Sequence, residues 1–278
     1  MRKNVHAIYV APEKETSMRP IPVLLYHHIN YHKGDMVTIT PEVFERQMEY
    51  LHRAGYRTLK INELLSYING EFTLNQNAAV VVTFDDGWLD NYLYAFPVLK
   101  RYKINAAIFI VTDRTEKASE NIKEVPSSVP THRESKLLIA EGNSHRVVLN
   151  WEHVKEMLDS GLVEFYSHTK RHINCDKLSE RELLIELGES KKIIEERLGT
   201  PCPYLCWPYG KYNDLALHVA KNFGYKAFFT TKVGVMRTGS DPFEISRIVV
   251  KGNIAWFKKR MLIYTNTVLS RIYLKIRK

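Results

Sequence analysis

The chain has 278 residues, of which 45% are hydrophobic and 26% are charged, a composition that excludes disordered and collagen-like chains. The net charge is +9, and residues 251–278 carry +8 of it, with eight basic and no acidic residues, which argues against a nucleic-acid-binding domain. No apolar run approaches the ~18 residues that a membrane-spanning helix needs.

Residues 1–21 are predicted to form a leader, and its opening letters MRKNVHAIYVAPEKE contain no apolar stretch typical of a signal peptide. The apolar run VLLY at residues 23–26 is predicted to be a buried strand, and it ends at His27 and His28. Pro41 is suited to the first position of a helix, which Gly55 would end.

Residues 78–84 (AAVVVTF) are apolar and β-branched without alternation, as in a parallel strand buried on both faces. A helix over 91–102 and a strand over 106–111 complete a βαβ pattern. Residues 113–149 show no clear period and are predicted to be a surface insertion. Further helices are expected at 151–160, 179–198 and 215–223, and further strands at 163–166, 204–207, 227–231 and 245–250.

At least six predicted strands therefore alternate with helices, and several end in residues that can do chemistry. Parallel α/β barrels carry their active sites at the carboxyl ends of their strands. We expect a barrel domain over residues 22–250.

Residues 251–278 are predicted to form one basic amphipathic helix. Its apolar stripe recurs every three or four residues and comprises Phe257, Met261, Tyr264, Val268, Ile272 and Ile276. Such a helix either packs its stripe on the domain or makes peripheral contact with an anionic membrane surface. The pattern leaves both arrangements open.

Asp85 and Asp86 are adjacent at the end of a strand. Two neighbouring carboxylates repel each other unless a cation lies beside them. One aspartate can then bind a divalent metal while the other acts as a general base. Taken alone, the pair is equally suited to cap the following helix.

His168 and His172 follow the strand at 163–166 and lie on the loop before the next helix. Two imidazoles and one carboxylate make a three-ligand site with an open position for water, as catalytic zinc sites require. Because both the histidines and the aspartates follow strand ends, we predict a metal site formed by His168, His172 and one of the two aspartates.

Three other groups are candidates for the same pocket. His27 can reach the barrel mouth as a proton donor, with His28 pointing away from it, or it is a buried structural histidine. The turn at Pro208, Tyr209 and Gly210 can aim a backbone N–H at an oxyanion. Trp207 is either an apolar wall for a sugar ring or a core residue. The three cysteines (Cys175, Cys202, Cys206) are predicted to be reduced and structural.

The motifs TFDDG at 83–87, SHTKRH at 167–172 and PYG at 208–210 occur in the order and spacing of a known family. Over roughly residues 22–250 the chain resembles the polysaccharide deacetylases of carbohydrate esterase family 4, the NodB homology group. The resemblance implies a distorted (β/α) barrel of about seven parallel strands. It also implies a hydrolase that removes acetyl groups from N-acetylated sugars of a poly- or oligosaccharide.

The resemblance further implies individual roles. Asp85 would be the general base, and Asp86, His168 and His172 would hold the metal, usually Zn²⁺ and in some members another divalent ion such as Co²⁺ or Ni²⁺. The backbone N–H of Tyr209 would bind the oxyanion, and Trp207 and Pro208 would border the substrate beside it.

The sequence departs from the family pattern at two places. An arginine that orients the base is usual shortly before PYG, where this chain has Cys206, and we expect Arg247 to replace it. No late histidine can serve as the acid, because the last one, His218, lies within a predicted helix. The early His27 resembles the arrangement of the poly-β-1,6-N-acetylglucosamine deacetylase subgroup and is therefore assigned as the acid.

Two other functions stay open on the sequence. The protein could deacylate an O-acetylated or lipid-linked sugar, or it could be an inactive sugar-binding barrel, although the complete set of aspartates and histidines argues against the latter. The location is also open. The absence of a visible signal peptide favours a cytoplasmic or membrane-peripheral protein, whereas relatives of this subgroup are often exported.

Overall fold

A closed barrel of seven parallel strands forms the centre of the protein in a computed structural model. The structure describes residues 19–276 except 33–34, 72, 75–76, 121–125 and 127, so most of the predicted leader lies outside the described residues. The barrel strands are β1 (Val23–Tyr26), β5 (Ala79–Phe84), β6 (Ala106–Ile110), β7 (Val163–Ser167), β8 (Tyr204–Cys206), β9 (Ala227–Val233) and β10 (Ile245–Val249).

The strands follow one another around the barrel from β5 to β10 in chain order, and β1 closes it by pairing with both β10 and β5. Strand β4 (Arg57–Thr58) extends the sheet beside the start of β5. Two short strands, β2 (His28–Ile29) and β3 (Thr38–Ile39), pair outside the barrel. The predicted fold and all seven predicted barrel strands are confirmed.

Helices surround the barrel. They are α1 (Pro41–Arg53), α2 (Ile61–Ile68), α3 (Phe96–Tyr102), α4 (Thr112–Glu120), α5 (His132–Ala140), α6 (Trp151–Asp159), α7 (Glu180–Leu183), α8 (Ser190–Leu198), α9 (Asp214–Asn222), α10 (Ile254–Tyr264) and α11 (Thr267–Ile276). Short π-helical segments precede α3 (Asn91–Ala95) and α8 (Leu184–Glu189).

The segment 113–149 is more regular than its sequence indicates. It contains most of α4 and all of α5, and Ala118, Val129, Val147 and Val148 pack with Leu89 in a small core of their own. Thr131 caps α5 in a reciprocal bond with Glu134. The pattern was missed because these short helices bury few apolar residues each.

The C-terminal segment forms two helices rather than the single one predicted. The side chain of Asn266 accepts hydrogen bonds from the backbone N–H groups of Val268 and Leu269, at 3.0 and 2.9 Å, and this cap starts α11 as a new helix. The apolar stripe is divided accordingly: Phe257 and its companions on α10 are buried, whereas the part on α11 is exposed.

Candidate active site at the barrel mouth

Six of the candidate residues meet in one cavity of about 220 Å³ at the carboxyl ends of the barrel strands, namely His27, Asp85, Asp86, His168, His172 and Tyr209. These residues follow four different strands: His27 comes after β1, the aspartates after β5, the two histidines after β7 and Tyr209 after β8. The complete lining is His27, Val37, Asp85, Asp86, Trp88, Arg114, His132, Lys136, His168, His172, Tyr209 and Thr231.

Asp85 is held by a buried arginine from the last strand. Two nitrogens of Arg247 donate to the two Asp85 carboxylate oxygens, each at 2.8 Å, and Arg247 also donates to the carbonyl of Thr230 at 2.8 Å. Burial alone would raise the pKa of Asp85, but the Arg247 guanidinium, together with His168 and His27, lowers it to about 2. Asp85 is therefore ionised, and both of its oxygens have fixed directions.

Asp86 faces the two imidazoles. One carboxylate oxygen lies 3.2 Å from Nε2 of His172 and 3.9 Å from Nε2 of His168. The other accepts a hydrogen bond from the indole N–H of Trp88 at 3.1 Å. Burial opposes the ionised form, but His172 and the guanidinium of Arg114, 3.4 Å away, hold the pKa of Asp86 far below its usual range.

The donor set of Asp86, His168 and His172 fits a divalent cation, because its ligand atoms all lie within 4.8 Å of one another. Nδ1 of His168 lies 2.8 Å from the carbonyl oxygen of Cys206, an acceptor that fixes the proton on Nδ1 and leaves Nε2 free to bind a metal. Burial lowers the pKa of His172 to about 3, which keeps it neutral, as a ligand must be.

A second set of donors shares His168 and adds Asp85 and Cys206. It is poorly suited to a cation. Arg247 already occupies both oxygens of Asp85 and places a positive charge beside them. Burial also raises the pKa of the Cys206 thiol well above its usual value, which disfavours the thiolate that binds metals.

The loops that carry the site have a strained backbone. Among the described residues, five other than glycine have a positive φ, and four of them are at this site: Asp86 (73°), Thr169 (65°), His172 (63°) and Tyr209 (56°). Strain of this kind persists where the surrounding structure enforces it, and it is concentrated at functional sites. No sequence motif indicates this strain.

The two adjacent histidines after β1 have different surroundings, although β1 ends at Tyr26 and does not continue through both of them. His27 lines the cavity, where burial lowers its pKa against the opposing influence of Asp85 and Asp86. His28 is fully buried, with Nδ1 2.6 Å from Asp90 and Nε2 3.1 Å from Nδ1 of His132. His28 therefore links the barrel to helix α5 at the cavity wall.

The turn at residues 208–210 lies beside the histidines. The ring of Tyr209 contacts the ring of His172 edge-on, with 4.6 Å between their centroids. Trp207 and Pro208, predicted to border the substrate, are both buried and are absent from the cavity lining. Trp207 points into the core, where it stacks on Tyr212 with 5.2 Å between ring centroids, and this favours the core alternative.

Sequence reasoning missed several residues of the cavity. Arg114 belongs to the segment taken for an insertion, yet it closely follows the end of β6, and the same strand-end rule would have found it. Trp88 directly follows the TFDDG motif and donates to Asp86. His132 and Lys136 lie one turn apart on α5, and no motif marks them.

The barrel, the buried carboxylates and the paired imidazoles define an α/β barrel with an enzyme-like pocket at its mouth. A family model described as Polysaccharide deacetylase matches residues 75–228, more than half of the chain. The chain belongs to this family and is a deacetylase of the hydrolase class. Members of this family are generally metal-dependent and act on N-acetylated polysaccharides.

Individual relatives agree with this assignment. The protein YxkH of Bacillus subtilis (strain 168) is 28% identical over 230 residues, covering 83% of this chain and 71% of that protein. The poly-β-1,6-N-acetyl-D-glucosamine N-deacetylase of Staphylococcus aureus (strain MRSA252) is 27% identical over 225 residues, covering 77% and 68%. The Streptococcus pyogenes deacetylase PplD, solved with acetate, shares the fold with a TM-score of 0.73 at 24% identity, covering 87% and 98%.

Proposed function

We propose that this protein hydrolyses the acetamide of an N-acetylated sugar in a poly- or oligosaccharide, releasing acetate and a free amino sugar. The observation that carries the proposal is the different pairing of two adjacent carboxylates. Asp85 is paired with Arg247, whereas Asp86 faces His168 and His172. One aspartate is thus oriented as a base and the other as a ligand.

Asp86, His168 and His172 would hold a divalent cation. Zinc suits a set of two imidazoles and one carboxylate, and Co²⁺ or Ni²⁺ accept the same donors. When bound, the cation supplies Lewis acidity, which lowers the pKa of water and polarises an amide oxygen. Trp88 donates to the other carboxylate oxygen of Asp86, and Arg114 donates to the oxygen that faces the imidazoles.

Asp85 takes a proton from the attacking water. Its pKa of about 2 keeps it ionised at neutral pH, and its salt bridge fixes the direction from which it accepts the proton. Arg247 is in this account a positioning residue, because it acts through Asp85 and is itself fully buried.

His27 gives a proton to the departing amine. Burial lowers its pKa, so His27 must first take up a proton from solvent, and its protonated form then gives that proton to the more basic amine nitrogen. The backbone N–H of Tyr209 is assigned to the oxyanion, where one such donor contributes roughly 3 kcal/mol to the transition state.

The substrate class is inferred from two observations. The cavity of about 220 Å³ has room for an acylamino group and part of its ring, not for several sugar units. The relative from Staphylococcus aureus is an N-deacetylase of a β-1,6-linked N-acetylglucosamine polymer. A polymer of this kind can lie across the mouth and present one acetamide at a time.

The test is acetate release from β-1,6- and β-1,4-linked N-acetylglucosamine oligomers and from an O-acetylated glycan. We expect release from the N-acetylated oligomers, its loss with chelator, and its return with added Zn²⁺, Co²⁺ or Ni²⁺. Asp85→Asn should retain the metal and lose activity, while the exposed residue His218 on α9 offers a control in His218→Ala. Release from the O-acetylated glycan alone would contradict the proposed amide substrate, and release unaffected by chelator would contradict the metal.

A further inference from the structure

Helix α11 exposes a continuous apolar face. Val268, Leu269, Ile272 and Ile276 are exposed by 63, 47, 53 and 79%, respectively. At 3.6 residues per turn these four side chains lie within about 100° of arc on one side of the helix. Leu262, on the last turn of α10, adds a further exposed apolar side chain at 62%.

The opposite side of α11 fastens the helix to the protein. Ser270 is fully buried, and its hydroxyl accepts a hydrogen bond from Arg237 at 2.6 Å. Tyr273 and Leu274 pack partly against the main core, and the Tyr273 ring lies 5.8 Å from that of Tyr264. The apolar face is therefore held toward solvent by a packed helix.

Positive charge surrounds this face. Arg271 and Lys275 are exposed on the same helix, next to the apolar arc, and Lys258 and Lys259 are exposed on α10. Residues 251–278 contain no acidic residue that would neutralise them. No helix of the described residues is long and apolar enough to cross a membrane.

We infer that the exposed face of α11 docks in the plane of an anionic lipid surface, with its apolar side chains in the headgroup boundary and its cations against lipid phosphates. The charge favours lipid over a second copy of the chain. A symmetric dimer through this face would bring Arg271 and Lys275 of both copies together, and like charges across an interface are unfavourable. This inference is independent of the proposed function.

The test is co-sedimentation of the full chain with vesicles of phosphatidylcholine alone or with 30% phosphatidylglycerol. We expect binding to the anionic vesicles that weakens with salt. The double variant Ile272→Gln/Ile276→Gln should bind at least tenfold more weakly, and Arg271→Gln/Lys275→Gln about thirtyfold more weakly. Leu184→Gln removes a similarly exposed leucine elsewhere (48% exposed) and should bind like the wild type.

We expect each variant to fold, because the substituted side chains are exposed. Circular dichroism and thermal unfolding verify this. Equal binding by the wild type and Ile272→Gln/Ile276→Gln would overturn the inference, as would absence of binding to anionic vesicles. Light scattering tests whether a second copy of the chain covers this face instead. A dimer of the wild type that becomes a monomer in the isoleucine variant would also overturn it, because a second copy would then cover the face.

Discussion

Replacing Arg247 by glutamine tests how the base is held. The change removes two hydrogen bonds of 2.8 Å to Asp85 and leaves that carboxylate buried, with 3% exposure. Its remaining side-chain hydrogen bond within the described part of the chain comes from the Cys206 thiol at 3.5 Å. Breaking one side of a buried ion pair costs about 3–5 kcal/mol of unfolding free energy. Loss of orientation at the reacting group lowers kcat/KM by about 100-fold.

The double variant Asp85→Asn/Arg247→Gln separates the pair from its surroundings. We expect the double variant to lose less unfolding free energy than the two single variants together, because it leaves neither a buried carboxylate nor a buried guanidinium without its partner. The assays are urea unfolding and acetate release on metal-loaded protein. A kcat/KM of Arg247→Gln within threefold of the wild type, or strictly additive unfolding energies, would refute the reasoning.

The same pair predicts the acid behaviour of the fold. The pKa of Asp85 falls from 3.8 to about 2 on folding, so its ionised form stabilises the native state above pH ~4. That contribution, on the order of 2 kcal/mol, is lost as the pH falls from about 4 through 2. In Arg247→Gln this part of the stability-versus-pH curve should become shallower, and an unchanged curve would assign the acid sensitivity to other groups.

Two further substitutions test the turn after β8. A Cβ at Gly210 would overlap the hydroxyl of Thr231, whereas at Gly199, which has the same φ of +65°, it would meet nothing within 4 Å. Gly199→Ala should therefore lower the unfolding free energy by about 1 kcal/mol, through its positive φ alone. Gly210→Ala should lower it by about 2 kcal/mol more and also lower kcat. Thermal unfolding and acetate release measure these effects, and equal losses of stability would contradict the steric argument. Trp207→Phe should leave KM unchanged and cost on the order of 2 kcal/mol of unfolding free energy, because it leaves a cavity at a fully buried position. A raised KM would instead place Trp207 at the substrate site.

The barrel could be predicted because its strands have a simple signature. Parallel strands buried on both faces appear as short apolar runs such as residues 79–84, and each is followed by a helix. The same rule placed the aspartates and histidines at one end of the barrel. These inferences need only local periodicity and the geometry of parallel strands.

Other features depend on contacts between distant parts of the chain. Arg247 pairs with Asp85, which lies 162 positions earlier in the sequence. The strand pattern alone does not show which side chain will orient the base when Cys206 stands at the position of the usual arginine. Trp207 lies next to the PYG turn, but whether it faces the cavity or the core is set by packing on β8. The division of the C-terminal stripe depended on one cap, Asn266, whose signal is weak among many polar residues.

The central claim is that Asp86, His168 and His172 together hold one divalent cation. Elemental analysis of purified protein dialysed against Zn²⁺, alongside anomalous diffraction from Zn²⁺-soaked crystals, tests it most directly. We predict one zinc per chain bonded to these three side chains, its loss in Asp86→Ala and His168→Ala, and its retention in His218→Ala. Stoichiometric zinc retained by Asp86→Ala or His168→Ala, or an anomalous peak elsewhere with none between these residues, would contradict the account.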